Sequence, residues 1–518
     1  MTADITIYKK NNLYLFIDTP LDINREIYDL FSFFLKGYEF MPSYKYGTFD
    51  GKKHLYDINR HELPIGLLSD LLKFAQKNSY SVKLEDKTEI LPINYNNEID
   101  EFMSKIQTYT NKSLSGVYEF QRIAVERALR KQRQLLLSPT SSGKSNIIYL
   151  IVRFLLEYTD LKILLLVPST GLVEQMVSDF ASYVNDGYDI ESQCHKIYGG
   201  KEKGTDKRIT VSTWQSLHMI GDLDKNGNQL GLPFDLSYFN HDVLICDEVH
   251  TATGDSILKI IDKLQDNSKI RLGFTGSLDD SKIMLMQLKA CFGSVHVTTT
   301  SRELQDSGVQ SELSIEINLL KYTNETLELF NKTKKTYPQE IKWLITNKDR
   351  NDFIINRALG LTNNTLILFH NISHGKALKK ELEIYAERYN KKILYIAGEI
   401  KTDKREEIRQ EIELSDNLIL LASFGTFKQG INAPNLHTVI FAHPFESTIT
   451  NIQSIGRGLR RIAGKKEKIK LIDIGDDLRY AKKSGSAVKQ NYALKHLYSR
   501  ISIYEKEQFD YKTKKVVL

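Results

Sequence analysis

Cysteine is scarce in this chain: Cys194, Cys246 and Cys291 are the only three among 518 residues, and none forms a CxxC pair. A disulfide framework or a structural zinc site is therefore not expected, and an intracellular protein is. No run approaches the roughly 18 apolar residues of a membrane-spanning helix, so no membrane partner is expected. The opening residues, Met1-Thr2-Ala3-Asp4-Ile5, lack the basic segment and apolar stretch of a secretory signal, which leaves the cytoplasm as the expected location. Short-period repeats and low-complexity blocks are also missing. What is present is an ordinary globular composition, 41% hydrophobic and 26% charged, with enough length for roughly three or four domains.

The net charge of +6 is a mild surplus, and its location says more than its size. From Arg461 to Leu518 there are 15 Lys and Arg against 7 Asp and Glu, whereas Met1 to Gln107 carries 13 against 16. The basic excess at the C-terminal end suits contact with a polyanion; a solvated basic tail would look the same.

The first hundred residues read as a small α+β unit. Apolar alternation on either side of Lys9-Lys10-Asn11-Asn12 predicts a hairpin. Ile23, Ile27, Leu30, Phe31 and Phe34 fall at helical spacing, with Gly37 as a stop. Pro64 can open a second helix through Leu67, Leu68, Leu71 and Phe74, and Ser81 to Leu84 can close the unit as a strand. The polar, irregular stretch from Glu85 to Asn111 reads as a linker, so that removal of residues 1 to about 107 is expected to leave the remainder able to fold. Beyond it, short apolar runs alternate with longer amphipathic stretches, the pattern of doubly wound parallel sheets. Gln134–Leu137, Ile163–Val167, Ile209–Val211 and Val243–Ile245 form one series of buried strands. A second series starts near Leu313 and includes Thr365–Phe369, Ile393–Ile396, Leu418–Leu421 and Thr438–Phe441. The expected domains are 1–107, 108–305, 306–475 and a basic helical extension over 476–518.

Ser138-Pro139-Thr140-Ser141-Ser142-Gly143-Lys144-Ser145 joins an apolar strand to a helical stretch. Backbone N–H groups of Thr140 to Gly143 and a helix N-terminus can surround phosphates, Lys144 can supply a cation, and the Ser145 hydroxyl can ligate Mg²⁺. Ser138 stands where the usual pattern begins with glycine. About one hundred residues later, the apolar run Val243-Leu244-Ile245-Cys246 ends in Asp247-Glu248, where Asp247 can hold the metal and Glu248 can polarise a water. A third element, Gln453-Ser454-Ile455-Gly456-Arg457-Gly458-Leu459-Arg460, puts Arg457 and Arg460 one helical turn apart, as arginines answering a γ-phosphate would be. Together the three predict an ATP-hydrolysing machine.

These residues resemble helicase superfamily two, along nearly all of 115 to 475 and in the family's order. The resemblance implies two tandem RecA-like domains in an α/β chain. It assigns Gln121, in Tyr118-Glu119-Phe120-Gln121, to the adenine base. Val167-Pro168-Ser169-Thr170 with Gln175 is similar to motif Ia, and Ser212-Thr213-Trp214-Gln215 to motif Ib; Ser169, Thr170, Thr213 and Gln215 are then nucleic-acid contacts. Phe274-Thr275-Gly276-Ser277 stands in the place of motif III. Phe369-His370-Asn371 resembles motif IV, with His370 on the nucleic acid, and Gly430-Ile431-Asn432-Ala433-Pro434 resembles motif V, with Gly430 at the nucleotide. Gln453 to Arg460 is similar to motif VI. Asn432 replaces the commoner Asp, and Phe424 falls where many relatives carry Thr.

Outside the motor, Gly37-Tyr38-Glu39-Phe40 and Tyr46-Gly47-Thr48-Phe49-Asp50-Gly51-Lys52 resemble the N-terminal domain of the UvsW family of phage DNA helicases. Ile372 to Lys376 and the ending Lys514-Lys515-Val516-Val517-Leu518 are similar as well. This implies branched-DNA work: fork regression, junction branch migration, D-loop or R-loop dissociation and strand annealing. The expected partners are branched, single-stranded and duplex DNA, RNA in R-loops and a single-strand-binding or accessory repair protein, and a monomer is expected. Residue by residue, Tyr44, Lys45, Tyr46, Lys52 and Lys53 interleave aromatic faces for unpaired bases with cations for phosphates; aromatics in a small domain are otherwise its core. Three alternatives stay open on motifs alone. They are an RNA helicase, since such motors grip the backbone and not the sugar, a restriction-type translocase subunit, and a binding scaffold with a relic ATP site.

Overall fold

The computed structural model describes residues 3–85, 90, 92–111, 117–139, 142–197, 207–218, 220, 239–252, 254–264, 268–276, 278, 281–309, 312–331, 336–398, 402–428, 435–445, 469–480 and 490–518. They fall into two compact units, one of residues up to 139 with 143–299, the other carrying 300–518.

The first unit opens on a four-stranded sheet of order β5-β2-β1-β6, made of β1 (Ile5–Lys9), β2 (Tyr14–Asp18), β5 (Glu62–Pro64) and β6 (Val82–Leu84). β1 and β2 form the expected hairpin. Helices Leu21–Leu30 and Leu68–Lys77 bury Ile23, Ile27, Leu71 and Ala75 against it. The first helix stops at Leu30, short of the expected Gly37, because Ser32–Phe34 is drawn into an antiparallel pair, β3, with β4 (Lys52–His54).

Seven parallel strands follow in the order β13-β7-β12-β11-β8-β10-β9. They are β7 (Arg133–Leu137), β8 (Ile163–Val167), β9 (Cys194–Ile197), β10 (Ile209–Thr213), β11 (Val243–Cys246), β12 (Ile270–Thr275) and β13 (Ser294–Val297). Every residue of β8 and β11 is buried, as a parallel sheet covered on both faces requires. Helices Glu119–Lys131, Lys144–Tyr158 and Thr170–Tyr183 cover one face, and Gly254–Lys263 and Lys282–Phe292 the other.

Two findings depart from the linker reading. The stretch Glu85–Asn111 contains a helix, Asn96–Lys105, whose Ile99, Phe102 and Met103, with Ile106 beyond it, belong to the core of the seven-stranded sheet. The N-terminal sheet is also seated on that larger sheet: Leu13 lies in the larger sheet's second core cluster, and Arg271 Nη2 donates to Asn12 O at 2.7 Å. Gly66 passes so close to helix Lys282–Phe292 that a β-carbon there would meet Lys289 O at 2.2 Å. The Arg271 guanidinium, enclosed by this packing, has its pKa lowered to about 9 by burial and by neighbouring Arg133.

The second unit is another parallel seven-stranded sheet, of order β16-β17-β15-β18-β19-β14-β20. Its strands are β14 (Leu313–Lys321), β15 (Thr365–Phe369), β16 (Lys392–Ile396), β17 (Leu418–Ser423), β18 (Thr438–Phe441), β19 (Ile469–Asp477) and β20 (Asp510–Val517). Tandem doubly wound sheets are thus observed as expected. The basic tail is helical over Tyr492–Lys506 and then adds something the sequence reading did not foresee, the edge strand β20 beside β14.

Candidate active site

In a parallel sheet the residues that follow the strands gather at one edge, and the seven-stranded order of the first unit decides which of them meet. β7 and β11 flank β12, so the loop before Lys144, the pair Asp247-Glu248 and Thr275 emerge side by side. Gly143, with φ +77, caps the 15-residue helix Lys144–Tyr158 in the left-handed region. A β-carbon there would stand 2.3 Å from Gln121 Nε2. Glycine at 143 therefore lets the buried Gln121 amide close against the phosphate-loop backbone, beside the helix N-terminus that would face an anion.

Lys144 Nζ lies 2.8 Å from Asp247 Oδ1 and also contacts Glu248 Oε1. Burial opposes the lysine charge, but the two carboxylates outweigh it and raise its pKa. Asp247 is raised by burial against the pull of Lys144, whereas in Glu248 the charges of Lys144 and His250 overcome burial and lower it. Glu248 has φ +47, an uncommon conformation for a residue with a β-carbon. Its N–H donates to Asp247 Oδ1 at 2.9 Å. His250 Nδ1 sits 3.3 Å from Glu248 Oε2 and 2.8 Å from Thr275 Oγ1. The Glu248 carboxylate is thereby tied through one imidazole to the strand end that carries the expected motif III.

No cluster of three or more His, Cys, Asp or Glu side chains suited to a metal occurs among the described residues. The donor chemistry nonetheless fits Mg²⁺: Asp247 and the hydroxyl of Ser145 are hard oxygen ligands, and both carboxylates already hold a cation, the ammonium of Lys144. Thr140, Ser141, Gly430, Gln453, Arg457 and Arg460 lie outside the described residues; Ser142 is buried.

The expected nucleic-acid contacts differ in their surroundings. Ser169 and Thr170 are exposed beyond β8, and the exposed Gln215 donates from Nε2 to Pro168 O at 3.1 Å, joining the Ia and Ib segments. Thr213 is buried, and its hydroxyl accepts from Ser216 N. His370, in the second unit, is exposed and stacks on His443 at 5.4 Å. Tyr46 is 83% exposed and Tyr44 37%, beside the exposed Lys45. Lys52 Nζ stands 5.0 Å over the Phe34 ring, while Lys53 Nζ reaches Asp255 Oδ1 at 3.1 Å, on the helix that follows Asp247-Glu248.

Sequence reasoning read Phe34 as helix core and took Phe40 only as part of a motif. The structure exposes both, Phe40 to 79%, and stacks Tyr38 on Phe34 at 4.5 Å. The available signal was a density of aromatics too high for so short a segment to bury.

Comparison with known proteins places these features. Residues 4–85 match the family described as "DNA helicase UvsW, N-terminal", 98–280 match "Type III restriction enzyme, res subunit", and 351–461 match "Helicase conserved C-terminal domain". The "ATP-dependent DNA helicase uvsW" of Enterobacteria phage T4 is 33% identical over 527 residues, covering 99% of this chain and 100% of the relative. A crystal structure of T4 UvsW covers 99% of each chain at 32% identity, with a TM-score of 0.49. A putative type I restriction HsdR subunit from Vibrio vulnificus YJ016 shares the fold at 16% identity, over 90% of this chain and 76% of that one, with a TM-score of 0.54.

Proposed function

The chain belongs to the UvsW family, an ATP-dependent DNA helicase by that kinship, and from this premise we propose that it remodels branched DNA. The reactions are fork regression, Holliday junction branch migration, D-loop and R-loop dissociation, and strand annealing. The observation that carries the catalytic half is the contact of Lys144 with both Asp247 and Glu248 at one sheet edge. The branched-DNA half rests on the exposed rings of Phe34, Phe40 and Tyr46 beside Lys45 and Lys52, a surface suited to stacking on unpaired bases.

The roles follow from chemistry. Gln121 reads the adenine, and the N–H groups from Thr140 to Gly143 with Gly430 embrace the nucleotide. Lys144 turns from its carboxylates to the β- and γ-phosphates. Ser145 and Asp247 would hold Mg²⁺, which when bound neutralises developing phosphate charge. Glu248 polarises the attacking water, oriented by His250 and through it by Thr275. Gln453, Arg457 and Arg460 answer the charge on the transferred phosphoryl group. Ser169, Thr170, Gln215 and His370 meet the tracked strand. Lys53, held by Asp255, anchors the aromatic surface to the ATPase half. We assign the protein to the cytoplasm as a monomer.

The test is ATPase and strand-displacement activity on single strand, duplex, fork, four-way junction and R-loop, with an RNA duplex alongside. Forks and junctions are expected to be processed faster than simple duplex. Equal rates on all DNA forms would sink the branched-DNA reading, and preference for RNA duplex would make the protein an RNA helicase.

A further inference from the structure

Arg133 opens β7 and Arg271 is the second residue of β12, and the two are paired in register. Parallel strands send such a pair to the same face of the sheet, side by side. On that face Leu135, two positions beyond Arg133, packs with Leu13, Cys291 and Phe292. Both arginines lie near the start of their strands, at the end of the sheet opposite Lys144, Asp247 and Thr275. Arg271 is completely buried. Its Nη2 donates to Asn12 O at 2.7 Å, in the turn between β1 and β2, but its Nε and Nη1 are buried with no acceptor. Arg133 is half-buried; its Nη1 reaches Ile90 O at 3.3 Å, and its buried Nε has no acceptor either.

Among the described residues no carboxylate pairs with either guanidinium; the ionisable groups that act on Arg271 are Arg133 and the thiol of Cys291. Burial pushes that thiol up to about 12 against the pull of Arg271, so it is no counter-ion near neutral pH. Arg271 itself, even lowered to about 9, stays protonated there. Two like charges thus sit beside each other, one of them fully enclosed, with buried N–H groups to spare. A water would accept from those N–H groups but leave both charges uncompensated, and an uncompensated buried charge is among the costliest features a fold can carry. An anion answers both needs. A dianion such as phosphate would bring four oxygens into the enclosure, more than the few side-chain N–H groups can satisfy, so size and charge both favour a halide.

We propose that Arg271 and Arg133 hold a small monovalent anion of the halide class, sealed in the seam where the N-terminal sheet is seated on the seven-stranded sheet. The anion accepts from Arg271 at one edge of its guanidinium and balances Arg133 beside it. Because the same guanidinium grips Asn12 O, the ion becomes part of what fastens the N-terminal hairpin to the larger sheet.

Crystals of the full-length protein are grown in sodium bromide and measured at the bromine absorption edge, where an anomalous peak in contact with the Arg271 guanidinium is expected. In solution, thermal midpoints of the wild type and of Arg271→Met are compared as chloride replaces gluconate at constant ionic strength. The wild-type midpoint is expected to rise by about 3–6 °C over a roughly hundredfold range of chloride, because the ion binds only the folded chain. That of Arg271→Met is expected to stay level. The variant also loses the bond to Asn12 O, which shifts its midpoint as a whole, so the chloride slope alone carries the comparison. Ordered water at Arg271 without anomalous signal, or equal slopes in the two proteins, would overturn the proposal. A bromide peak with no chloride slope in the wild type would mark an adventitious ion only, and would overturn it equally.

Discussion

Lys144 Nζ stands 2.8 Å from Asp247 Oδ1 at the edge of the first large sheet, in an ion pair that a triphosphate bound there as proposed would have to break. The two carboxylates are held by this lysine, which under the proposed function would serve both as phosphate grip and as counter-ion. Lys144→Ala should lower ATP hydrolysis by about two to three orders of magnitude, the scale for losing one charge-stabilising donor. The far-ultraviolet circular dichroism should be unchanged, because no apolar core depends on that side chain. A folded variant with near-normal turnover would remove the nucleotide site from this edge.

Glu248→Gln is expected to bind ATP and DNA and to stall before hydrolysis, slowing turnover by about a hundredfold or more. The amide keeps the shape but cannot take a proton from water. His250→Ala should produce a milder defect in coupling, since the imidazole links Glu248 to Thr275. Single-turnover hydrolysis read beside strand displacement separates the two; unimpaired hydrolysis in Glu248→Gln would assign the water to another residue.

The N-terminal surface and the N-terminal fold should respond differently to change. Phe40→Ala and Tyr46→Ala remove exposed rings and should weaken fork and junction binding about tenfold, from lost stacking, with little effect on ATPase at saturating single-stranded DNA. Deleting residues 1–107 should do far more. It strips Ile99, Phe102, Met103 and Ile106 from the sheet's core and uncovers the site of Leu13, so the truncated chain should aggregate or melt early. Fluorescence anisotropy on a four-way junction and a thermal melt give the two readouts; a stable, active truncation would show that the seating is dispensable.

Acid should loosen the second unit early. Burial first, and then the nearby charge of Arg350, lower the pKa of His374 and of His443 to about 3. The unfolded chain takes up protons on these rings below about pH 6.5, which the folded chain refuses until about 3. Their contribution to stability is therefore complete above pH 6.5 and lost progressively as pH falls toward 3. Glu316 adds to the loss below about 4.5. Burial alone would raise its pKa, but Lys470 and Arg357 bring it down to about 2. Urea midpoints between pH 7.5 and 4.5 should fall, and His443→Phe should flatten the slope. Identical slopes would mean that His443 is readily protonated in the folded state.

The central strands, and the meeting of Lys144 with Asp247 and Glu248, were legible because they are built from extremes. Strands such as Ile163–Val167 are apolar at every position, and phosphate chemistry ties Lys144 and Asp247-Glu248 to the ends of such strands. What escaped was amphipathic or basic. Helix Asn96–Lys105 hides Ile99, Phe102 and Met103 among Asn, Asp and Glu, so its average polarity resembles a linker although the spacing is helical. β20, Asp-Tyr-Lys-Thr-Lys-Lys-Val-Val, has the composition of a solvated tail because an edge strand shows most of its side chains to water. The buried arginines Arg350 and Arg500, paired with Asp476 and Asp473, were illegible for another reason: a buried cation is recognisable only once its aspartate is placed beside it.

The pairing of β20 with β14 joins Ser314 to Asp510, so the second sheet cannot be completed in the order in which a ribosome delivers it. The first unit has all its described strands by residue 297 and can close during synthesis. The second must wait, with β14 an open edge, until Asp510–Val517 emerges, some two hundred residues after β14. A nascent chain would thus hold a finished first sheet long before its second is whole, and the interval between them is when it is most exposed to pairing with a neighbour.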